Sequence, residues 1–168
     1  MNKLFLQLGL LALSCLLAAP AGAAVVAGNV VKFAQGTDFN VAPGTSFTVD
    51  LVGENFLAGP DGAAFSLSWN PAVLGYVGAS VANPPWDASF ISADNAGNGI
   101  IDYVFLSKST AGDAGSHFAM ASFTFNVLGN VGTSAELMLS NDPFEVGFVA
   151  PGAVPIAASY LNSQVHVV

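Results

Sequence analysis

The residues of this 168-residue chain that could carry chemistry are few: two histidines, eleven Asp and Glu residues together, and one cysteine. Asp113, Ser116 and His117 lie close enough in sequence to suggest a hydrolase. A triad, however, needs nucleophile, base and orienter converging on one side. Ser116 and His117 are neighbours at a strand entrance, where successive side chains point to opposite faces, and no G-x-S-x-G elbow occurs in the chain. His117 and His166 are too few for zinc, which takes at least three protein ligands. The stretch Asp94-Asn95-Ala96-Gly97-Asn98-Gly99-Ile100-Ile101-Asp102 offers oxygen ligands for calcium, but an EF-hand count from Asp94 puts Ala96 at the third position and Phe105 where the bidentate Glu belongs. It reads as a connecting turn, with a calcium ion near Asp94 to Asp102 left open. A glycosidase needs two carboxylates facing each other across a cleft, and here most acids fall in turns or on solvent faces. The chain therefore reads as non-enzymatic, with no catalytic residue, cofactor or metal assigned.

Composition narrows the alternatives. Charged residues make up 8% of the chain against about 25% in an average soluble domain, hydrophobic residues 53%, and the formal net charge is −8. Nucleic-acid affinity comes mainly from Lys and Arg neutralising phosphates. With three lysines and no arginine, the chain is a poor partner for DNA, RNA or an anionic membrane.

Positions 1–23 read as a secretory signal peptide: Lys3 supplies the positive start, Leu4 to Ala19 the apolar stretch, and Ala21-Gly22-Ala23 the small-x-small cleavage site. Cys15 falls inside this segment, so residues 24–168 contain no cysteine. They must fold on their core alone, without disulfides, after export to the periplasm or the extracellular space and with no stable membrane anchor.

The elements that would position any site are strands. Phe47, Val49 and Leu51 alternate with Thr48 and Asp50; Phe65, Leu67 and Trp69 with Ser66 and Ser68; Ala121, Phe123, Phe125 and Val127 with Ser122, Thr124 and Asn126. Period two is the pattern of a half-buried strand. Further strands are predicted over 29–34, 73–80, 88–92, 99–106, 134–140, 144–149 and 158–168, separated by Gly- and Pro-rich turns such as Ala42-Pro43-Gly44-Thr45. Beyond the signal peptide no window keeps a helical period, so one antiparallel sandwich is predicted.

The order of motifs resembles the bacterial cohesin domain: Val41-Ala-Pro-Gly-Thr-Ser-Phe-Thr-Val-Asp50, Ala64-Phe-Ser-Leu-Ser-Trp-Asn-Pro-Ala-Val-Leu74, Asn98-Gly-Ile-Ile-Asp-Tyr-Val-Phe-Leu106 and Gly115-Ser-His-Phe-Ala-Met-Ala-Ser-Phe-Thr-Phe-Asn-Val127. The resemblance spans about residues 29–168 and implies an all-β, antiparallel jelly-roll β-sandwich of about nine strands, filling residues 24–168 as one domain. It also implies a non-catalytic module that binds a dockerin-like protein, with a link to polysaccharide degradation. Where the family commonly has Tyr-Asp-Pro, this chain has Trp69-Asn70-Pro71, which keeps a polar side chain and loses a carboxylate.

In that family the partner face is built from the third, fifth, sixth and eighth strands, here about 63–69, 88–92, 99–106 and 134–140. With Ile101, Tyr103 and Phe105 taken as core, Asp102, Val104 and Leu106 point outward, joined by Ser66, Ser68, Asn70, Glu136 and Met138: an apolar centre with a polar rim. The run Ile100 to Leu106 is apolar except at Asp102, so either both its faces are covered or one awaits a partner. The alternative function is direct polysaccharide binding, for which Trp86, in Asn83-Pro-Pro-Trp-Asp87, is the best candidate platform, ahead of Tyr76 and Tyr160. A self-associating surface or matrix protein is a third reading.

Overall fold

The computed structural model describes residues 28–110, 113–141 and 147–168. The segment read as a signal peptide lies outside them, as do residues 144–146 of the strand expected over 144–149. Among the described residues no helix is long and apolar enough to cross a membrane.

Two sheets face each other. The first runs β12 (Ser159–Leu161), β1 (Val30–Phe33), β3 (Ser46–Glu54), β8 (Phe118–Val127), β5 (Leu74–Val81). The second is built round β4 (Gly62–Ser68). On one side β4 pairs with β7 (Ile100–Ser107), which pairs in turn with β6 (Ala88–Ser92). On the other it pairs with β9 (Ser134–Asn141), followed by β13 (Ser163–Val167) and β2 (Asp38–Val41). Two short strands, β10 (Phe148–Ala150) and β11 (Val154–Ile156), extend it beside the start of β4. The described residues are all-β, as expected, and hold thirteen strands where about nine were expected: β2 and β11 lie outside the expected ranges, and the strand expected over 158–168 is split into β12 and β13.

Alternation puts the core where the sequence pattern places it. Val49 and Leu51 of β3, Phe65 and Leu67 of β4, and Phe123 and Phe125 of β8 are fully buried between the sheets. The outward residues of β3 and β8 pair across strands: Thr48 and Thr124 hydroxyls lie 2.9 Å apart, and Ser122 Oγ donates to Asp50 Oδ1 at 2.6 Å. One sheet face is thus dry and the other wet, as expected of antiparallel sheets.

Trp86 is a core residue. Its ring is 1% exposed, packs edge-on to Phe118 at 5.6 Å, and its Nε1–H donates to the Ala119 carbonyl at 2.9 Å. The sequence-based expectation of a sugar platform there is corrected: an indole that is buried and has its only donor satisfied is a lid on the sandwich.

Candidate protein-binding face

Strands β6, β7, β4 and β9 lie side by side, the four expected to make one face. The side chains they present differ from the expectation at one strand. Val104 and Leu106, expected outward, are 0% exposed and belong to the core. The reason is a register shift in the β4–β7 ladder: Phe65 pairs with Val104, but Leu67 pairs with Ile101, so Asp102 and Tyr103 together oppose Ser66. An extra residue on one strand is a β-bulge, and because side chains alternate with period two it exchanges the faces of everything beyond it. Ile101 is buried before the bulge and Val104 and Leu106 after it, leaving Asp102, Tyr103 and Phe105 on the outer side, each half-buried.

The same ladder carries an aromatic cluster. Phe90 of β6 lies directly opposite Phe105 of β7. The Tyr103 and Phe105 rings are 6.3 Å apart and nearly parallel, and Phe90 is 6.0 Å from Tyr103 with its ring tilted by 49°. Phe90 is 58% exposed. Next to this ridge β4 presents only small side chains, because Ala64, Ser66 and Ser68 alternate with the core residues Phe65 and Leu67. Beyond them Met138 of β9, opposite Ser68, is 47% exposed. Ser66, expected to be available, is only 6% exposed. It points outward from a central strand but sits between the bulge on one side and Ser140 on the other.

Polar groups edge this surface. Glu136 is exposed and its carboxylate accepts from Asn162 Nδ2 at 3.0 Å, while Asn162 Oδ1 accepts the Leu139 N–H. Asp102 accepts from the Asn95 amide. Asp87, just before β6, accepts the N–H groups of Ser109 at 2.7 Å and Thr110 at 3.1 Å, and these bonds hold its carboxyl down at about 2, below the usual carboxylate range. Asn70 is exposed at the end of β4, where its Oδ1 accepts the Ala72 N–H and its carbonyl accepts those of Val73 and Leu74. It shapes the turn that lets Trp69 Nε1 donate to the Leu74 carbonyl.

The groups considered for chemistry are not brought together into a reactive site. Ser116 and His117, expected on opposite faces, do meet, at 3.1 Å, because both precede the first residue of β8 and strand alternation does not govern them. The third candidate, Asp113, accepts the Gly115 N–H instead of orienting the imidazole. His166 pairs with Asp38 at 2.9 Å. Among the described residues no three His, Cys, Asp or Glu side chains cluster as metal ligands do. In the loop considered for calcium, Asn95 ties back to Asp102, and a 3₁₀ turn at Ala96–Asn98 ends at Gly99 with φ +81°. A Cβ there would lie 2.3 Å from the Trp69 carbonyl, so the loop packs on the strand end through glycine. An open cleft of about 310 Å³ beside β1, β3 and β8 contains one carboxylate, Glu54, and that is paired with Lys32 at 2.9 Å.

The remaining aromatic candidates for sugar are also drawn inward. Tyr160 donates to Asn141 Oδ1 at 2.7 Å, and burial pushes its phenol up to about 12; Tyr76 packs on Trp69 and Phe125, and burial raises its phenol too.

No protein-family model matches the chain, and no curated protein matches it. Solved structures do. The sixth cohesin of scaffoldin B from Acetivibrio cellulolyticus, solved in complex with a Cel5 dockerin, superposes with a TM-score of 0.68 at 18% identity, over 84% of this chain and 99% of that one. A cohesin from Clostridium thermocellum, in the Coh-OlpA–Doc918 complex, gives 0.69 at 9% identity over 84% and 99%. A non-cellulosomal cohesin from the archaeon Archaeoglobus fulgidus gives 0.59 at 17% identity over 84% and 91%. This chain has the cohesin fold, a jelly-roll β-sandwich.

Proposed function

We propose that this chain is a secreted, non-catalytic module that captures a dockerin-like protein partner on the outer side of β6, β7, β4 and β9. The observation that carries the reading is the relief of that face. An aromatic ridge (Phe90, Tyr103, Phe105) and Met138 flank a floor of Ala64, Ser66 and Ser68, with Glu136 and Asn70 at the margins and Asp102 beside the floor, opposite Ser66. Aromatic and Met side chains bordered by polar groups are the composition of protein interfaces, and a contiguous exposed apolar patch marks an interaction site. The complexes recorded for two of the similar cohesins support a dockerin as the partner class. Export rests on the N-terminal segment, and a place in polysaccharide breakdown on the same similarity.

The test is titration of the immobilised protein with isolated dockerin modules. At least one should bind, and Met138→Glu, which would put a charge into the buried interface, should weaken it by about tenfold or more, the equivalent of at least ~1.4 kcal/mol. Its own melting temperature should not move, because Met138 is exposed. Binding that survives Met138→Glu unchanged, or retention on insoluble polysaccharide with no dockerin bound, would sink the proposal.

A further inference from the structure

Among the described residues five strands end a sheet: β5, β12, β2, β11 and β6. Four of them carry a feature that discourages another strand from adding. In β5 the pairing shifts register between Tyr76 and Gly78. β12 is three residues long. Pro155 sits in the middle of β11. β2 carries Asp38, paired with His166. Shortness, proline, irregular register and charge are the devices by which natural edges avoid pairing. β6 has none of them: Ala88-Ser89-Phe90-Ile91-Ser92 is uncharged, lacks proline and pairs with β7 in unbroken register, and its first three residues are exposed. On a chain of net charge −8 an undefended, neutral edge is out of keeping.

We infer that β6 pairs antiparallel with β6 of a second copy of this chain, centred on Phe90, so that the two eight-stranded sheets become one continuous sheet across a twofold axis. The flanking charges fit a self-pairing. In that register Asp87 falls opposite Ala93 of the other copy, and Asp94 opposite Trp86, so no acid faces an acid. The Asp87 carboxylate is moreover turned back onto the Ser109 and Thr110 N–H groups. The apolar content fits as well. Phe90 stands opposite Phe105 within one copy, so pairing at Phe90 sets four phenylalanines in a row across four strands, the cross-strand arrangement that stabilises sheets. The contact is isologous and closes as a dimer instead of growing into a fibre. It uses the edge of the sheet and leaves Met138 and the β4 floor uncovered, so it does not rest on the partner proposed above.

The test is sedimentation of the purified protein over a wide range of concentration, together with a cross-link. A monomer–dimer equilibrium is expected, weakened by about tenfold or more in Phe90→Lys, which sets two ammonium groups against each other. Residues directly opposite have Cβ atoms about 4.5–5.5 Å apart, close to disulfide reach. In a Cys15→Ser background, Phe90→Cys should therefore form an intermolecular disulfide on mild oxidation, whereas Val77→Cys, exposed on the β5 edge, should not; this arm decides the question even if Phe90→Lys folds poorly. A protein that stays monomeric and cross-links no better than the control overturns the inference. So does a dimer that ignores Phe90→Lys and dissociates in Met138→Glu, which would be face-to-face pairing.

Discussion

Two adjacent alanine substitutions in β7 test the bulge, on which the whole composition of the candidate face depends. Leu106 is fully buried in the core cluster. Leu106→Ala removes three carbons from a packed interior and leaves a cavity, which costs about 2–5 kcal/mol depending on how far the neighbours collapse. Phe105 is half-buried on the outer side, where its ring touches Tyr103. A fully buried Phe contributes about 1.5–3 kcal/mol, so a half-covered ring whose site is open to water, and which leaves no cavity, should cost about 1 kcal/mol. Domains of this size have a total stability of about 5–15 kcal/mol, and the difference is resolvable by urea denaturation. The midpoint should fall several times further for Leu106→Ala than for Phe105→Ala, with the slope unchanged in both. Dockerin binding should follow the reverse order, lost in Phe105→Ala and kept by whatever fraction of Leu106→Ala remains folded. If Phe105→Ala is the more damaging to stability, the ladder has no extra residue at 102–103, and Val104 and Leu106 are the outward pair after all.

Two further outcomes follow from single residues. The Asp87 carboxyl is depressed from its ordinary value of 3.8 to about 2 by the Ser109 and Thr110 N–H groups. Its stabilising contribution is therefore present above pH 4 and lost as pH falls from about 4 towards 2; acid melts of Asp87→Asn should lose less stability across that window than the wild type, and equal losses would refute the assignment. Trp86→Phe keeps a ring in the core but leaves the Ala119 carbonyl without its donor, which should destabilise the fold by about 1–3 kcal/mol in thermal or urea melts. Retention on insoluble polysaccharide should be the same for both proteins, and a loss confined to the variant would restore Trp86 as a sugar contact.

What could be read from the sequence followed the strength of alternation. Where one face is uniformly apolar, as in Phe47-Thr-Val-Asp-Leu51 or Phe65-Ser-Leu-Ser-Trp69, the inward set is decided by the residues themselves and the structure agrees. β7 defeats the same logic because Tyr103-Val104-Phe105-Leu106 is apolar at both parities, so the pattern accepts either face. The missing information was in two residues that should share a side: Asp102, whose charge must reach water, and Tyr103, whose hydroxyl favours an outer position. Two adjacent residues can face the same way only across a bulge. The bulge was therefore implied by the residue types, though not by their period, and it exchanges Val104 and Leu106 for Tyr103 and Phe105 at the face. Trp86 failed for a different reason. The two prolines before it suggested a rigid, presented loop, but a rigid loop can as well drive an indole into the core, and only the Ala119 carbonyl and the Phe118 ring, distant in sequence, decide which. The same limit applies to β6. Five uncharged residues say that an edge would be undefended, but that β6 is an edge at all depends on its having β7 on one side and no described strand on the other. The aromatic ridge and the undefended edge thus both descend from how β7 is seated between β4 and β6: its bulge against β4 turns Tyr103 and Phe105 outward, and its other side holds β6 at the end of the sheet.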